Sequence, residues 1–149
     1  MNNKTERGQA IVMIAIAIVG LIGFTALAID GGNAFSDRRN AQNAADTAAL
    51  SAALAKVRNN DWNAIGQTLA SSNGYNNDSI SNTVNLYNPP IDGTYAGNNE
   101  YIQVIIVSHV DTFFASIVGV EQLTNTVEAV ARAKPAITEP MVYGNAMVS

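Results

Sequence analysis

From residue 10 to residue 29 the chain runs for twenty residues without a charge, and Thr25 is the only hydroxyl among them. Wound as a helix at about 1.5 Å per residue, such a run reaches roughly 30 Å, the thickness of a bilayer's hydrocarbon core. It is apolar on every side, which excludes an amphipathic surface helix. Its β-branched side chains alone would also suit a buried strand, but globular strands seldom pass about ten residues, so length selects the helix. A helix of this kind has to be covered by lipid or by protein. The nine residues before it form a short leader carrying Lys4 and Arg7, too short for a folded unit. The simplest topology keeps this terminus inside and exports the remainder.

Composition narrows the function. Only 13% of residues are charged, against about 25% in average soluble domains, as expected where lipid or further copies of the chain cover much of the surface. A formal charge of −4, with no basic cluster denser than Arg38-Arg39, gives no field for nucleic acid. The absence of cysteine removes disulfides, thiol catalysis and cysteine-based zinc sites, and a single histidine leaves little for other transition metals. Gly31-Gly32 has neither the preceding strand nor the lysine of a phosphate loop. Ser108, His109 and Asp111 sit almost consecutively on one predicted strand, so Ser108 points away from the face shared by the other two. A catalytic set needs side chains converging from different elements. No enzymatic activity, cofactor or metal is therefore expected. Asn77-Asp78-Ser79 and Asn3-Lys4-Thr5 match the glycosylation sequon, a pattern that an Asn-rich chain meets by chance.

Beyond Asp30-Gly31-Gly32 the pattern turns alanine-dense, and no proline follows until Pro89. Alanine is the strongest helix former. Ala41, Ala45, Ala48, Ala52 and Ala55 recur at three- and four-residue steps and line one stripe, which Leu50, Leu54 and Val57 broaden. A methyl stripe suits close contact between helices, here expected between copies of the chain through Ala41, Ala45, Ala48 and Ala52; the alternative is a helix lying flat on a sheet. Joined to the first segment, this helix would reach Val57 and span on the order of 70 Å. Gly31-Gly32 would be its weak point, at about 1 kcal/mol per glycine, with a kink or a melted turn expected there. In the apolar run Ala15, Gly20 and Gly23 are small positions that let helices approach closely in an apolar setting. Asp30 ends that run. Packed inside an assembly it would need a partner, which Arg7 or the terminal amine of a staggered copy could supply; at a membrane edge it would be solvated.

The remainder reads as a small head over residues 59–134, followed by a tail over 135–149. Asn60-Asp61-Trp62 opens a short helix that Asn73-Gly74 closes. Residues 75–81 are loop, 83–87 alternate as a strand, and Asn88-Pro89-Pro90 and Asp92-Gly93 mark turns. Residues 100–111 and 123–133 give two further strands, with a short helix between them capped by Asp111 or Thr112. The expected fold is α+β: a long amino-terminal helix packed on a small antiparallel sheet of three or four strands. The tail carries apolar patches at Met141-Val142-Tyr143 and Ala146-Met147-Val148, suited either to a neighbour's sheet edge or to a loose terminus.

The sequence divides, on this reading, into a leader (1–9), a membrane or filament-core helix (10–29), its alanine-rich continuation (30–58), the head and the tail. Arg7-Gly8-Gln9-Ala10, Ala28-Ile29-Asp30-Gly31-Gly32 and above all Gln42-Asn43-Ala44-Ala45-Asp46-Thr47-Ala48-Ala49-Leu50 resemble the amino-terminal domain of the TadE/TadG-like Flp (tight-adherence) pilus-assembly family. Val127-Glu128-Ala129-Val130-Ala131-Arg132-Ala133 and other short runs extend the likeness more loosely. The resemblance implies a pilin-like subunit held in the inner membrane and delivered by a Tad-type assembly platform to an extracellular filament of its own copies. It also implies a candidate processing site at Gly8-Gln9. Type IV-like pilins place a glutamate five residues after the processed glycine, and Met13 stands there instead, which argues against cleavage. Two alternatives stand beside the filament subunit. One is a minor pseudopilin or membrane-anchored part of the machinery. The other is an exported soluble domain whose residues 11–24 are the core of a cleaved signal, with Ala26-Leu27-Ala28 as the cleavage pattern.

Overall fold

A computed structural model describes the backbone of residues 4–135 and the side chains of residues 8–135. One helix, α1 (Lys4–Val57), runs for 54 residues, about 80 Å. It continues without interruption through Gly31 and Gly32, so no turn melts at the expected weak point. Helical hydrogen bonds on both sides carry the two glycines.

The second half of α1 holds the head. Helix α2 (Trp62–Ser72) folds back beside it, and its start follows from Asp61, whose carboxylate accepts from the N–H groups of Asn63 and Ala64 at 3.1 and 3.0 Å. Its end is closed at Asn73, followed by Gly74 at φ +95°, a left-handed conformation that glycine adopts without strain. Strands β1 (Asn82–Tyr87), β2 (Tyr101–Asp111) and β3 (Gln122–Arg132) form an antiparallel sheet in the order β1-β2-β3. Val104 lies opposite Leu86 on one side and Ala129 on the other. The α+β fold with the helix across one sheet face is therefore as expected, with three strands.

The face toward α1 is built by Val84 and Leu86, by Ile102, Val104 and Ile106, and by Val127, Ala129 and Ala131. Against it lie Ala41, Ala44, Ala45, Ala48, Ala49, Ala52 and Ala53, all at most 4% exposed. Of the two uses open to a methyl stripe, the chain makes the second. Ala41, Ala45, Ala48 and Ala52 meet their own sheet and α2, and the expected contact of these four with other copies is corrected accordingly. Large side chains come from the sheet and small ones from the helix, so the backbones approach closely and the layers interlock. Helix α2 uses the same device. A Cβ added at Gly66 would lie 2.2 Å from Leu86 Cδ2 and 3.3 Å from Ala52 Cβ.

Overpacking this seam is costly. Ala48→Leu should destabilise the head by at least about 1–3 kcal/mol in denaturant titration. Leu50→Ala, on the opposite face at 67% exposure, should change stability by less than about 0.5 kcal/mol.

Candidate functional site

Among the described residues the first half of α1 is left largely uncovered. Every large apolar side chain from residue 11 to residue 29 is 41–75% exposed. Monomeric soluble proteins rarely show contiguous apolar patches beyond a few hundred Å². Ala15, Gly20 and Gly23 are exposed as well, and a Cβ built on either glycine would meet nothing within 4 Å. Among the described residues nothing requires Gly20 or Gly23 to be small. Gly8 and Gln9 lie exposed on α1 near its start.

At the head end of this bare segment stands Asp30, 4% exposed. Its carboxylate accepts from three successive backbone N–H groups: Phe113 at 2.9 Å, Phe114 at 3.0 Å and Ala115 at 2.7 Å. These are the free donors at the start of a short 3-10 helix, Ala115–Val118, which lies in the connection between β2 and β3. Asp30 thus caps a helix that follows it by more than eighty residues. The expected caps were Asp111 or Thr112, but Asp111 accepts from Gln122 Nε2 at 2.7 Å, and the Thr112 hydroxyl donates to the carbonyls of Val120 and Glu121. Within the chain these N–H groups partner Asp30; the expected pair with Arg7 of another copy falls on a side chain outside the described residues.

Two turns further along α1, Asp37 ties the helix to the sheet. Its carboxylate accepts from Tyr75 Oη at 2.9 Å, from Asn125 Nδ2 at 2.7 Å and from Ser108 Oγ. Asn125 Nδ2 also reaches the Ala34 carbonyl at 2.9 Å, and Gln42 Nε2 donates to the Glu128 carbonyl at 3.0 Å. Burial, reinforced by the hydrogen bond to Asp37 and by its charge, pushes the Tyr75 phenol well above its ordinary range, so it remains a donor. A polar groove of about 420 Å³ opens beside this cluster, lined among others by Asp37, Asn40, Tyr75, Ser108 and His109.

These partners also dispose of the tempting catalytic set. Ser108 faces α1 and donates to Asp37, while His109 Nδ1 faces Thr124 Oγ1 at 3.1 Å. Asp111 is turned to Gln122, so the three side chains do not converge. Among the described residues no three His, Cys, Asp or Glu side chains gather as a metal site. Of the two sequons, Asn77 is engaged in the fold, its Oδ1 accepting from Val84 N at 2.9 Å, and Asn3 lies outside the described residues. Sequence reasoning passed over Asp37, Asn125 and Gly66. Gly66 had a visible signal, as the one glycine inside the short second helix; Asp37 and Asn125 had none, because their meeting depends on register.

Asp30→Ala would strand three donors. Hydrogen exchange at Phe113, Phe114 and Ala115 should accelerate selectively, with a stability loss of about 1.5–3 kcal/mol for hydrogen bonds to a charged group. Protection of β1 should persist.

Among the described residues one helix is long and apolar enough to cross a membrane. Residues 8–55 match the model of a protein family described as Flp pilus-assembly, TadE/G-like. No match was found among curated proteins or among solved structures. The matched stretch holds the bare apolar segment, Asp30 and most of the alanine seam. Over residues 8–55 the chain is thus similar to the TadE/G-like Flp pilus-assembly family, and the resemblance read from Gln42 to Leu50 falls inside that match.

Proposed function

We propose that the protein is a pilin-like structural subunit, which waits in the inner membrane on residues 10–29 and is assembled into a surface filament of its own copies. The observation that carries this reading is the bareness of that helix beside a fully packed head. A bare apolar helix is stable in lipid and equally stable among other such helices. Passage from one setting to the other gains little by itself, so the reading includes an energy-driven assembly platform as partner. Each large side chain kept from water contributes roughly 1.5–3 kcal/mol, ample to hold a polymer once formed.

The head belongs to the same reading. It is fixed to α1 by the alanine seam and by Asp30 and Asp37, so a filament core of packed residues 10–29 would display it outward at a constant angle. Ala15, Gly20 and Gly23 are proposed as the close-approach points between neighbouring helices. The seam alanines are not, because the chain's own sheet already covers them.

Sheared surface material from the native cell should contain this chain as its main protein, and electron microscopy of it should show filaments with residues 10–29 inside. A trace amount, with pili persisting when the chain is deleted, would make it a minor component of the machinery instead. Recovery of a soluble chain starting after Ala28 would establish a cleaved signal. The double variant Gly20→Leu, Gly23→Leu should leave head stability within about 0.5 kcal/mol of the parent, since a Cβ at either position meets no described atom within 4 Å. Filament yield should fall sharply.

A further inference from the structure

The connection between β2 and β3 is apolar and turned outward. Residues 112–120 contain no charge, whereas Asp111 and Glu121 bracket them. Phe113 is 68% exposed, Ile117 81% and Val118 79%. The remaining exposed large apolar side chains of the head, such as Ile80 and Ile91, stand singly. This loop is not a floppy excursion, because Asp30 holds its 3-10 helix against α1 through three N–H groups.

Its position is what matters. Phe114, Ile117 and Val118 share an apolar cleft of about 420 Å³ with Ile22, Ala26 and Leu27 of α1. Those helix residues belong to the last two turns of the apolar run. Ile22 lies about 12 Å below Asp30 along the helix axis, so the cleft that it shares with the loop extends from the level of Asp30 toward the bare segment. Elements that lie in a membrane interface bury their apolar face about 5–10 Å into the boundary of headgroups and acyl chains.

We propose that the 112–120 loop is a second membrane-contacting element, dipping into the leaflet on the head's side with acyl chains filling the cleft between it and α1. The inference rests on the reading of residues 10–29 as a membrane span and adds that the head is seated on the bilayer rather than held clear of it. Continuity singles out lipid as the occupant: whatever surrounds Ile22 and Leu27 also meets Ile117 and Val118. Asp30 sits at the boundary without a bare charge, since the three N–H groups solvate it in place of water. The flanking Asp111 and Glu121 mark where the loop leaves the apolar layer.

A chain without cysteine allows the test on the full-length protein. Single nitroxide labels are placed at Ile117→Cys and Val118→Cys, with Ile18→Cys in the span and Ile80→Cys and Ile91→Cys on the head as references. The protein is reconstituted at one copy per nanodisc of phosphatidylethanolamine and phosphatidylglycerol, and collision with oxygen is compared with collision with a water-soluble nickel chelate. Labels at 117 and 118 should favour oxygen, at a depth shallower than 18, while 80 and 91 favour nickel. Nickel-favoured collision at 117 and 118 with oxygen-favoured collision at 18 would overturn the seating and leave the span intact. Labels at 117 and 118 shielded from both reagents would also overturn it, showing that protein covers the loop. Nickel-favoured collision at 18 would overturn the span itself, and the seating with it.

Discussion

Methyl-sized contact along residues 41–53 of α1 decides how the molecule is put together. With Ala41, Ala45, Ala48 and Ala52 fully buried, the helix backbone comes close enough to the sheet for Val84, Val104 and Ile106 to reach between its turns. A helix carrying Leu or Ile there would have to stand farther off, and the side-chain bonds from Asp30, Asp37 and Gln42 to β2, β3 and their connection would lose their reach. The seam therefore comes before the polar contacts. It fixes the distance at which they form.

The same helix serves two environments. Its second half is buried against the sheet and α2, and its first half offers apolar side chains all round that no described residue buries. Asp30 stands at the change. Its position explains why a carboxylate is tolerated there: the charge is spent on a helix start rather than on solvent. Because the capped 3-10 helix leads into β3, the end of the bare segment and the base of the sheet become one rigid joint. The unbroken run of α1 through Gly31 and Gly32 fits with this, since the glycines lie beside a contact that restrains the helix from outside.

Polar residues elsewhere in the head are turned to structural ends. Ser108, Tyr75 and Asn125 all converge on Asp37, and Gln103, fully buried on the outer face, bonds to Asp92 and Glu128. Convergence of this kind clamps loops onto strands and leaves each acidic group occupied. It orients no nucleophile. The large apolar side chains left exposed are concentrated in the first half of α1 and in the loop next to it.

Much was determined by local pattern. Twenty uncharged residues demand a helix of membrane length whatever surrounds them, and Asp61 and Asn73-Gly74 bound α2 by capping chemistry that operates within a turn. Alternation of apolar residues marked the strands to within a residue or two, because the two faces of a sheet differ in solvent. What only the tertiary structure decided were the questions of partner. The alanine stripe was expected to meet other copies and is buried on the chain's own sheet, since a methyl group carries no information about which surface it will meet. Asp30 looked like a boundary charge in need of a distant cation, and its partners were N–H groups more than eighty residues on, where the fold of three strands had to come first. Periodicity reports which side of an element is covered; only the assembled layers report by what.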